Sequence, residues 1–569
     1  MKKRAPFWKR ALGLLTVSAL IVSFSGCTGS PSGTSTSSMS TSSQKTPESG
    51  GTSSAFANTA EAIGFEPIIV PFPDEPLASY PVENGGTISI WMYINSATSK
   101  YYQNLVENPT VKQMIKDTGI NVEFIHPPTG QTKENFNLLV VSDSLPDLLV
   151  NANQYYAGGN VAAVADGVFA DLTELVPEYA PDYYYFIEKN ELFRKLATTT
   201  DNKIYSIYNY KDVQAPYFIY PQFREDWLKE WNMEIPFTLD EYEAYFEKVL
   251  AEKPGIAPYL PSKNGLEGEL LGAFGIGGTS NGVRYFVKDG KVRHTFNEPA
   301  FKDYLTLMND WYNKGYISKD FTNVESIDAM NLEFANGRTG MVFGNTDTIF
   351  TLMSELDFEA TTGRYPRINA EDPYHFDIFY FPQNGNPNAI SAKSKNKELA
   401  LQFLNYSFTQ QGSGVANFGE TGVTWNMGDD GIPVFTDYAL SGKDYSLSDS
   451  EYTLRLHTCW AKYRYGDDIS MIRNVAEPDT WKYRARWADD ETVDGAYAMP
   501  TLSFTTEASA EIGKLTTDIN TYAEEMILKF ITGAASLDQF DEFQKNVQSL
   551  GMDRVLELYQ QAYEQFLAK

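Results

Sequence analysis

One segment of the sequence carries the residue pattern of a nucleophilic enzyme. The residues 278–282, GTSNG, match G-x-S-x-G, in which a serine nucleophile stands on a sharp turn from a strand into a helix. The flanks are glycine-rich and lead into 283–287 and an Asp289-Gly290 turn. That context predicts a β-hairpin, so we interpret the match as chance.

A second segment imitates the start of a calcium loop. Asp490, Thr492 and Asp494 have the required spacing, but Thr501 stands where a bidentate Glu would close the loop, so an exposed acidic loop is predicted. The sequence has four His and two Cys, with no H-E-x-x-H and no P-loop, and we expect neither a metal nor a cofactor. A glycosidase pair among the 74 Asp and Glu stays open, because two such acids need only be close in space.

The remaining pattern suits sugar binding. Sugar rings stack their C–H faces on aromatic rings, and their hydroxyls pair with Asp, Asn, Gln and Arg. Residues of both kinds stand at predicted strand ends and loops, and structural packing is an alternative for each of them. The ligand-binding candidates are Trp91, Tyr93, Asp147, Arg224, Asn345, Trp425 and Trp460.

Trp460 belongs to a stretch, 455–487, that is basic and aromatic in an otherwise acidic chain. The stretch could recognise an acidic sugar, or its cations could pair with surface carboxylates. For Trp425, which follows the glycine-bracketed turn 419–422, stacking on a ligand and packing in the core are both open.

The composition limits what the elements can build. The chain has 569 residues and a formal net charge of −28, which excludes a general nucleic-acid binder. Hydrophobic residues make up 42% and aromatic residues 14%, so a large core can be buried, and the length suggests two to four compact units.

An alternation of strands and helices predicts a parallel sheet. Strands are expected at 87–93, 121–125 and 147–150, with a helix over 136–142 before the last of them. The segment 209–222 is the expected first crossing between lobes. A capping box at Thr238 predicts the start of a later helix.

The N-terminal residues address the chain. A basic start and a short apolar run over 11–24 precede Ser25-Gly26-Cys27, which resembles a lipobox, so 1–26 is expected to be a lipoprotein signal peptide and Cys27 the lipidated residue. The Ser/Thr-rich residues that follow cannot bury enough surface to fold, and 27–85 is expected to be a disordered tether.

Several longer stretches are similar to one family. These are Ser144-Leu145-Pro146-Asp147, the residues 201–205 (DNKIY), 223–249, 309–321, 336–341, 389–406 and 418–426. Together with the lipobox they resemble the family 1 extracellular solute-binding lipoproteins of carbohydrate ABC importers, of the long oligosaccharide-binding type common in Gram-positive bacteria.

This resemblance implies an α/β fold of two lobes, of the type II periplasmic-binding-protein kind, with a hinge and extra C-terminal helices. The lobes are expected at 86–213 plus 376–415 and at 214–375 plus 416–569. The function it implies is capture of an oligosaccharide in the inter-lobe cleft, without catalysis, and its delivery to permease subunits by a lipid-anchored monomer on the outer face of the cell membrane. A surface carbohydrate-active enzyme and a sensory or adhesive sugar-binding protein are the alternatives. Relatives often carry a calcium loop after the helix that follows Asp226-Trp227-Leu228, but the residues 251–261 hold one acid, so no calcium is expected there.

Overall fold

The computed structural model describes residues 70–211, 219–261, 270–277, 284–324, 327–375, 383–428, 433–441, 443–445, 461–464 and 493–569. The strands of these residues are β1 (Thr87–Trp91), β2 (Asn121–Ile125), β3 (Leu148–Val150), β4 (Ile207–Lys211), β5 (Ile219–Arg224), β6 (Ala257–Tyr259), β7 (Tyr285–Lys288), β8 (Lys291–His294), β9 (Thr339–Asn345), β10 (Ala360–Thr362), β11 (Tyr374–His375), β12 (Gln383–Ile390), β13 (Trp425–Met427), β14 (Pro433–Phe435), β15 (Tyr463–Arg464) and β16 (Val493–Asp494).

The α-helices of the same residues are α1 (Ser96–Ser99), α2 (Pro109–Thr118), α3 (Thr132–Val141), α4 (Gly159–Ala165), α5 (Val176–Tyr179), α6 (Pro181–Lys189), α7 (Glu191–Ala197), α8 (Glu225–Trp231), α9 (Leu239–Glu252), α10 (Phe301–Lys314), α11 (Ile327–Ala335), α12 (Thr346–Glu355), α13 (Lys397–Tyr406), α14 (Gln410–Phe418), α15 (Asp437–Leu440), α16 (Thr506–Thr532), α17 (Phe540–Ser549) and α18 (Met552–Ala568).

The first sheet has the order β15-β4-β12-β3-β1-β2. β1 runs parallel to β2 and to β3, as the strand and helix alternation predicts. β12 runs antiparallel to both β3 and β4, and β15 runs parallel to β4. Five strands therefore point in one direction and β12 points in the other. The sheet and the elements packed on it form the first lobe.

The first sheet is buried on both faces. One face packs against α2, α6, α13 and α14 in a core that includes Ile88, Ile90 and Tyr210, and the other packs a smaller core around Trp91 and Leu149. β2 reaches the edge of the sheet, where Val122 and Phe124 are buried and its alternate residues are exposed. This alternation is why the predicted bounds of that strand match the structure.

The folded chain begins earlier than the predicted boundary at residue 85. Val70 is 2% exposed in the first core, and the ring of Phe72 lies 4.1 Å from that of Tyr463. The backbone nitrogens of Leu77 and Ala78 donate to the carboxylate of Asp182. The end of the predicted tether, from Val70 to 85, therefore packs on the first lobe, because its apolar residues give it surface to bury.

The boundary predicted at residue 415 is also corrected. Phe418, Trp425 and Ala461 belong to the first core, and β15 pairs with β4 in the first sheet. The described residues between 416 and 464 are thus part of the first lobe, and the chain returns to the second lobe between Arg464 and Val493.

The second sheet has the order β10-β5-β9-β6. β5 runs antiparallel to β10 and β9, and β6 runs parallel to β9. Its core is aromatic and extends from β5 through α9 and α10 to the C-terminal helices. This sheet with its helices forms the second lobe.

Two local predictions in the second lobe are confirmed. Thr238 caps α9 and forms the reciprocal capping box with Glu241. The Asp289-Gly290 turn, with φ of 54° and 71°, joins β7 and β8 into an antiparallel hairpin. The positive φ values fit the twist that two-residue hairpin turns require.

The last helix joins the two lobes. α18 begins in the second core with Met552 and Val555, and Phe566 near its end packs on Leu192 and Leu196 of α7. The Nζ of Lys195 donates to the carbonyl of Leu567 over 2.9 Å. Among the described residues, every helix is too short or too polar to cross a membrane.

Candidate functional site

The chain crossings fix which edge of the first sheet faces the second lobe. The chain leaves the first sheet at the carboxyl end of β4, returns at the amino end of β12 and leaves again at the carboxyl end of β15. Because β12 is antiparallel to the other strands, all three ends lie at one edge. The carboxyl ends of β1, β2 and β3 lie at that same edge, which we call the inter-lobe edge of the first sheet.

The strand directions also fix which edge of the second sheet faces the first lobe across the gap between the lobes. β5 receives the first crossing at its amino end, and Ile219 there pairs directly with Asn345 at the carboxyl end of the antiparallel β9. Asn345 therefore lies on the side of the second sheet that faces the first lobe. Ligands of parallel sheets bind outside the carboxyl ends of strands, so the site is expected between these two edges.

Asn151 shapes the loop that follows β3. It has φ of 56°, a left-handed conformation that Asn tolerates better than most residues, and its nitrogen donates to the carbonyl of Pro387 over 2.9 Å. The chain then makes a short turn over Ala152–Tyr155 and enters α4 after Gly158, which has φ of 82°. This geometry holds the loop 151–160 at the inter-lobe edge.

A half-buried tyrosine in this loop rests on a buried tryptophan. The ring of Tyr155 meets the ring of Trp91 edge-on at 5.9 Å, and the Trp91 indole donates to Asn135 over 2.8 Å. Burial, and then the nearby Tyr93, raise the pKa of Tyr155. Trp91 is 0% exposed, so it packs beneath Tyr155 and cannot contact a ligand. Tyr93 and Tyr155 are half-buried and keep part of their surface in solvent.

Two buried amide oxygens at this edge have no hydrogen-bond partner among the described residues. They are Oδ1 of Asn153 and Oδ1 of Asn160. The Asn160 Nδ2 donates to the hydroxyl of Tyr208 over 3.0 Å, which fixes the orientation of the amide. Burial raises the pKa of Tyr208 to about 12, so its hydroxyl stays protonated at neutral pH. An unsatisfied buried acceptor costs about 1–3 kcal/mol, and a ligand hydroxyl could donate to each of these oxygens.

Asp147 lies at the opposite edge of the first sheet. It precedes β3, and its carboxylate accepts from the Ser89 nitrogen (2.9 Å), the Ser89 hydroxyl (2.8 Å) and the Ser394 hydroxyl (2.6 Å). Partial burial acts to raise its pKa, but these hydrogen bonds prevail and lower it. The structure thus gives Asp147 a structural role, joining β1 to the loop after β12, away from the inter-lobe edge.

Arg224 is also placed away from the site. It ends β5, opposite to the end that faces the first lobe, and it pairs with Asp226 through both Nε (2.9 Å) and Nη2 (2.5 Å). Its guanidinium lies 4.6 Å from the Trp227 ring, and the residue is 7% exposed. This ion pair lies at the start of α8, on the side of the second sheet away from the gap between the lobes.

Trp425 lies in the core of the first lobe. It is 1% exposed, and its indole nitrogen donates to the carbonyl of Gly419 over 2.9 Å. Of its two open interpretations, the structure supports packing, because the turn 419–422 folds the ring inward under α14.

Asn345 keeps its candidacy. It is half-buried at the facing edge of the second sheet, where its side chain accepts from the Thr348 nitrogen (3.1 Å) and caps α12. The cap uses only the side-chain oxygen of Asn345, and the Nδ2 group of an amide is a hydrogen-bond donor that a ligand can use. Trp460 and Cys27 lie outside the described residues.

The strand directions therefore place Tyr93, Tyr155, Asn153, Asn160 and Tyr208 at the inter-lobe edge of the first sheet, and Asn345 at the facing edge of the second sheet. The sequence analysis named Tyr93 and Asn345 as ligand-binding candidates and did not name the other four, and a binding role for all six stays a prediction. Three of those four stand in 151–160, NANQYYAGGN, directly after a predicted buried strand, and the rule that ligands bind at carboxyl ends of strands would have selected them.

Side chains that could ligate a metal are dispersed over the described residues. Within the described ranges, His, Cys, Asp and Glu side chains do not gather in groups of three that could hold an ion. The residues 251–261, where relatives often carry a calcium loop, contain the last turn of α9 and the strand β6. Lys253 in this segment pairs with Glu230 over 2.7 Å.

Two sheet-based lobes, three crossings and polar side chains at facing strand ends define a two-lobed binding protein of the periplasmic-binding-protein kind. The chain belongs to the bacterial extracellular solute-binding protein family, whose profile matches residues 102–413, more than half of its length.

This chain is similar in sequence or in structure to proteins named for, or solved with, carbohydrate ligands. The polygalacturonan/rhamnogalacturonan-binding protein YtcQ of Bacillus subtilis (strain 168) is 22% identical over 481 residues, covering 82% of this chain and 90% of YtcQ. The crystal structure of the alginate-binding protein AlgQ2 without calcium ion has a TM-score of 0.71 at 22% identity, covering 86% of this chain and 99% of AlgQ2. The Streptococcus pneumoniae ABC-transporter substrate-binding protein FusA, in complex with kestose, has a TM-score of 0.67 at 18% identity, covering 85% of this chain and 99% of FusA.

Proposed function

We propose that this protein captures an oligosaccharide between its two lobes and delivers it to the permease of an ABC importer without changing it chemically. The observation that carries the proposal is the pair of buried, unpartnered amide oxygens of Asn153 and Asn160 at the inter-lobe edge. Sugar hydroxyls are donors of the right kind for both, and Tyr93 and Tyr155 beside them offer ring faces for stacking.

The ligand class is supported by the relatives. YtcQ is named for polygalacturonan and rhamnogalacturonan, AlgQ2 for alginate, and FusA was solved with kestose. These ligands differ in charge but share a chain of sugar rings. We therefore assign an oligosaccharide to this protein as a class.

Capture is proposed to occur by closure of the lobes. The two lobes already approach each other where the loop after β3 meets α16, since a methyl group at Gly158 would lie 3.9 Å from the Thr506 Cγ2. A ligand held in both lobes stabilises the closed form by its differential affinity for it. The permease then recognises the surface that the closed form presents.

The protein is proposed to act as a monomer, lipid-anchored on the outer face of the membrane. The Ser25-Gly26-Cys27 sequence behind a short apolar run supports lipidation of Cys27. The Ser/Thr-rich tether that follows, of about 40 residues before Val70, would let the folded part move roughly 30 to 40 Å from its anchor.

A binding panel tests the ligand proposal. Isothermal calorimetry with oligogalacturonides, alginate oligosaccharides and kestose should give saturable binding to at least one, and chromatography of the mixture should recover the sugar intact. Failure of every sugar to bind would contradict the proposal, and conversion of the sugar to products would favour the enzyme alternative.

Two variants connect this binding to the proposed site. Asn160→Ala removes one unpartnered oxygen and the bond to Tyr208, and it should weaken binding by about 1–3 kcal/mol. Asn336→Ala is the matched control, because Asn336 is exposed just after α11 and its side chain donates to the carbonyl of Leu332 within the same turn. Equal affinities of the two variants would remove Asn160 from the site.

A further inference from the structure

Four tyrosines from distant parts of the chain meet on the surface of the first lobe. The ring of Tyr101 meets that of Tyr445 at 4.8 Å, and the hydroxyls of Tyr102 and Tyr445 are 2.6 Å apart. Burial, then a hydrogen bond with Asp444 and the nearby Tyr445, raise the pKa of the Tyr438 hydroxyl to about 12. We call Tyr101, Tyr102, Tyr438 and Tyr445 the tyrosine rim.

The tyrosine rim keeps part of its aromatic surface in water. Tyr101 is 38% exposed and Tyr438 is 39% exposed. Exposed aromatic rings that lie together on a folded protein mark a binding surface more often than single exposed residues do.

The topology places the tyrosine rim at the same edge of the first sheet as the proposed site. Tyr101 and Tyr102 follow β1 through Tyr93 and the single turn of α1, so they belong to the loop that leaves the inter-lobe edge. Eight residues that include one helical turn span at most about 20 Å. The backbone nitrogen of Leu105, just beyond, donates to His126 after β2 over 3.3 Å, which keeps this loop at the same edge of the sheet.

The chemistry of the tyrosine rim is that of a sugar receptor. Tyrosine rings offer faces for C–H groups, and their hydroxyls together with the exposed carboxylate of Asp444 offer acceptors for sugar hydroxyls. A purely apolar partner would take the exposed Asp444 carboxylate out of water without replacing its hydration. The mixture of ring faces and acceptors therefore favours a sugar chain as the occupant.

We propose that the tyrosine rim is an outer subsite that holds the part of an oligosaccharide extending beyond the inner site of Asn153, Asn160 and Tyr208. This proposal rests on the proposed function, since it assumes that the inner site binds sugar. It assigns selection by chain length to the tyrosine rim. The inner residues then set affinity for short chains, and the rim sets the gain for longer ones.

A length series tests the outer subsite. Calorimetry with oligogalacturonides, alginate oligosaccharides and fructo-oligosaccharides of two to six units should show affinity that rises with length for the series that binds. The double variant Tyr101→Ala with Tyr438→Ala should bind the shortest member as the wild type does and lose roughly fivefold to tenfold for the longest, the strength of an aromatic stacking contact. The double variant to Phe keeps the rings and should retain most of the gain.

Controls separate this proposal from the proposed function. Tyr312 is a half-buried tyrosine of α10 in the second lobe, so Tyr312→Ala should change neither the affinity for the shortest sugar nor that for the longest. Melting curves verify that each variant is folded. Asn160→Ala should weaken all lengths alike. Wild-type binding with no length dependence, or a double variant that keeps the full gain, would overturn the outer subsite and leave the proposed function standing.

Two other outcomes also decide. Absence of binding by the wild type to every series would overturn the proposed function and the tyrosine rim with it. Unchanged sugar binding by the double variant, together with reduced uptake in cells, would make this surface a docking site for a protein and would contradict the subsite.

Discussion

The indole ring of Trp425 occupies the space that a side chain at Gly414 would need. A Cβ at Gly414 would lie 2.2 Å from the Trp425 Cη2, and the indole nitrogen bonds the carbonyl of Gly419. The helix α14 therefore approaches the hairpin β13–β14 through a glycine, and the ring seals the contact.

Trp425→Ala is expected to destabilise the protein without weakening sugar binding. Removing a fully buried aromatic ring leaves a cavity and costs about 3–5 kcal/mol in the free energy of unfolding. Denaturant unfolding measures this cost, and calorimetry below the melting temperature measures affinity. Met427→Ala, an exposed residue of the same hairpin, should cost less than about 0.5 kcal/mol. Weakened affinity with unchanged stability would return Trp425 to the site.

A buried histidine in the second lobe predicts acid sensitivity. His294 is 1% exposed, and burial, followed by the charge of Arg284, holds its pKa well below 6.5. The unfolded chain then binds more protons than the folded one below pH 6.5, so the free energy of unfolding should fall as pH drops from 6.5 toward the folded pKa. The fall from this group approaches about 1.4 kcal/mol per pH unit.

His294→Asn isolates this contribution. The ring accepts from the Phe296 nitrogen over 3.2 Å, and an Asn oxygen can take that bond at the start of the turn. The variant should show a flatter dependence of unfolding free energy on pH between 6.5 and 5 than the wild type. His375→Asn, on a half-buried histidine, is the control. Parallel curves for wild type and His294→Asn would rule out this origin of the acid sensitivity.

The contact of α18 with α7 predicts that the end of the chain stabilises the pairing of the lobes. Phe566 is 4% exposed between Leu192 and Leu196, so Phe566→Ala should lower the unfolding free energy by about 3 kcal/mol. Leu567→Ala is a matched neighbour, since its side chain is 39% exposed and its carbonyl still accepts from Lys195. It should stay within about 0.5 kcal/mol of the wild type. Equal effects of both changes would argue against the packing role of Phe566.

Ligand binding should make the protein more compact. Lobes joined by three crossings at one edge can close on a sugar, so small-angle scattering of the folded part should give a smaller radius of gyration at saturating ligand. The Asn160→Ala variant at the same sugar concentration should contract less, in proportion to its lower occupancy. Identical scattering with and without bound sugar would indicate a rigid groove.

The anchor is tested in cells. Cys27→Ala should leave the protein unprocessed or shed it into the medium, because the lipidated residue is lost. Fractionation after feeding with radiolabelled fatty acid measures both. Equal membrane retention and labelling of the variant and the wild type would contradict lipidation at Cys27.

Elements with strong local signals could be predicted from the sequence. The strand over 121–125 has alternating burial, and α9 has its capping box at Thr238, so local residues determine both. The boundary at 415 was wrong because it depends on the two-residue strand Tyr463–Arg464, whose partner β4 lies about 250 residues away. Strands this short carry no pattern of their own, and only tertiary contacts decide their sheet.

The candidate site was predicted in part for a similar reason. Asp147 and Arg224 have the right chemistry, but each stands at the far end of its strand from the gap, and which end faces a partner lobe follows from the crossings, not from the residues nearby. Trp91 and Trp425 are aromatic and near predicted loops, yet both are buried. Residue type alone does not distinguish a ring that faces a ligand from one that fills a core.

The order of the first sheet has a mechanical consequence. The three strands that carry the crossings, β15, β4 and β12, are neighbours, and β3, β1 and β2 extend from them as a free arm. With strands about 4.8 Å apart, the loop after β3 is about 5 Å from β12 and the loop after β2 about 14 Å, so rotation about an axis near β12 moves the outer loop about three times as far. Residues 151–160 would then lie close to the rotation axis and move little on closure. The loops after β1 and β2 would move farther toward the second lobe.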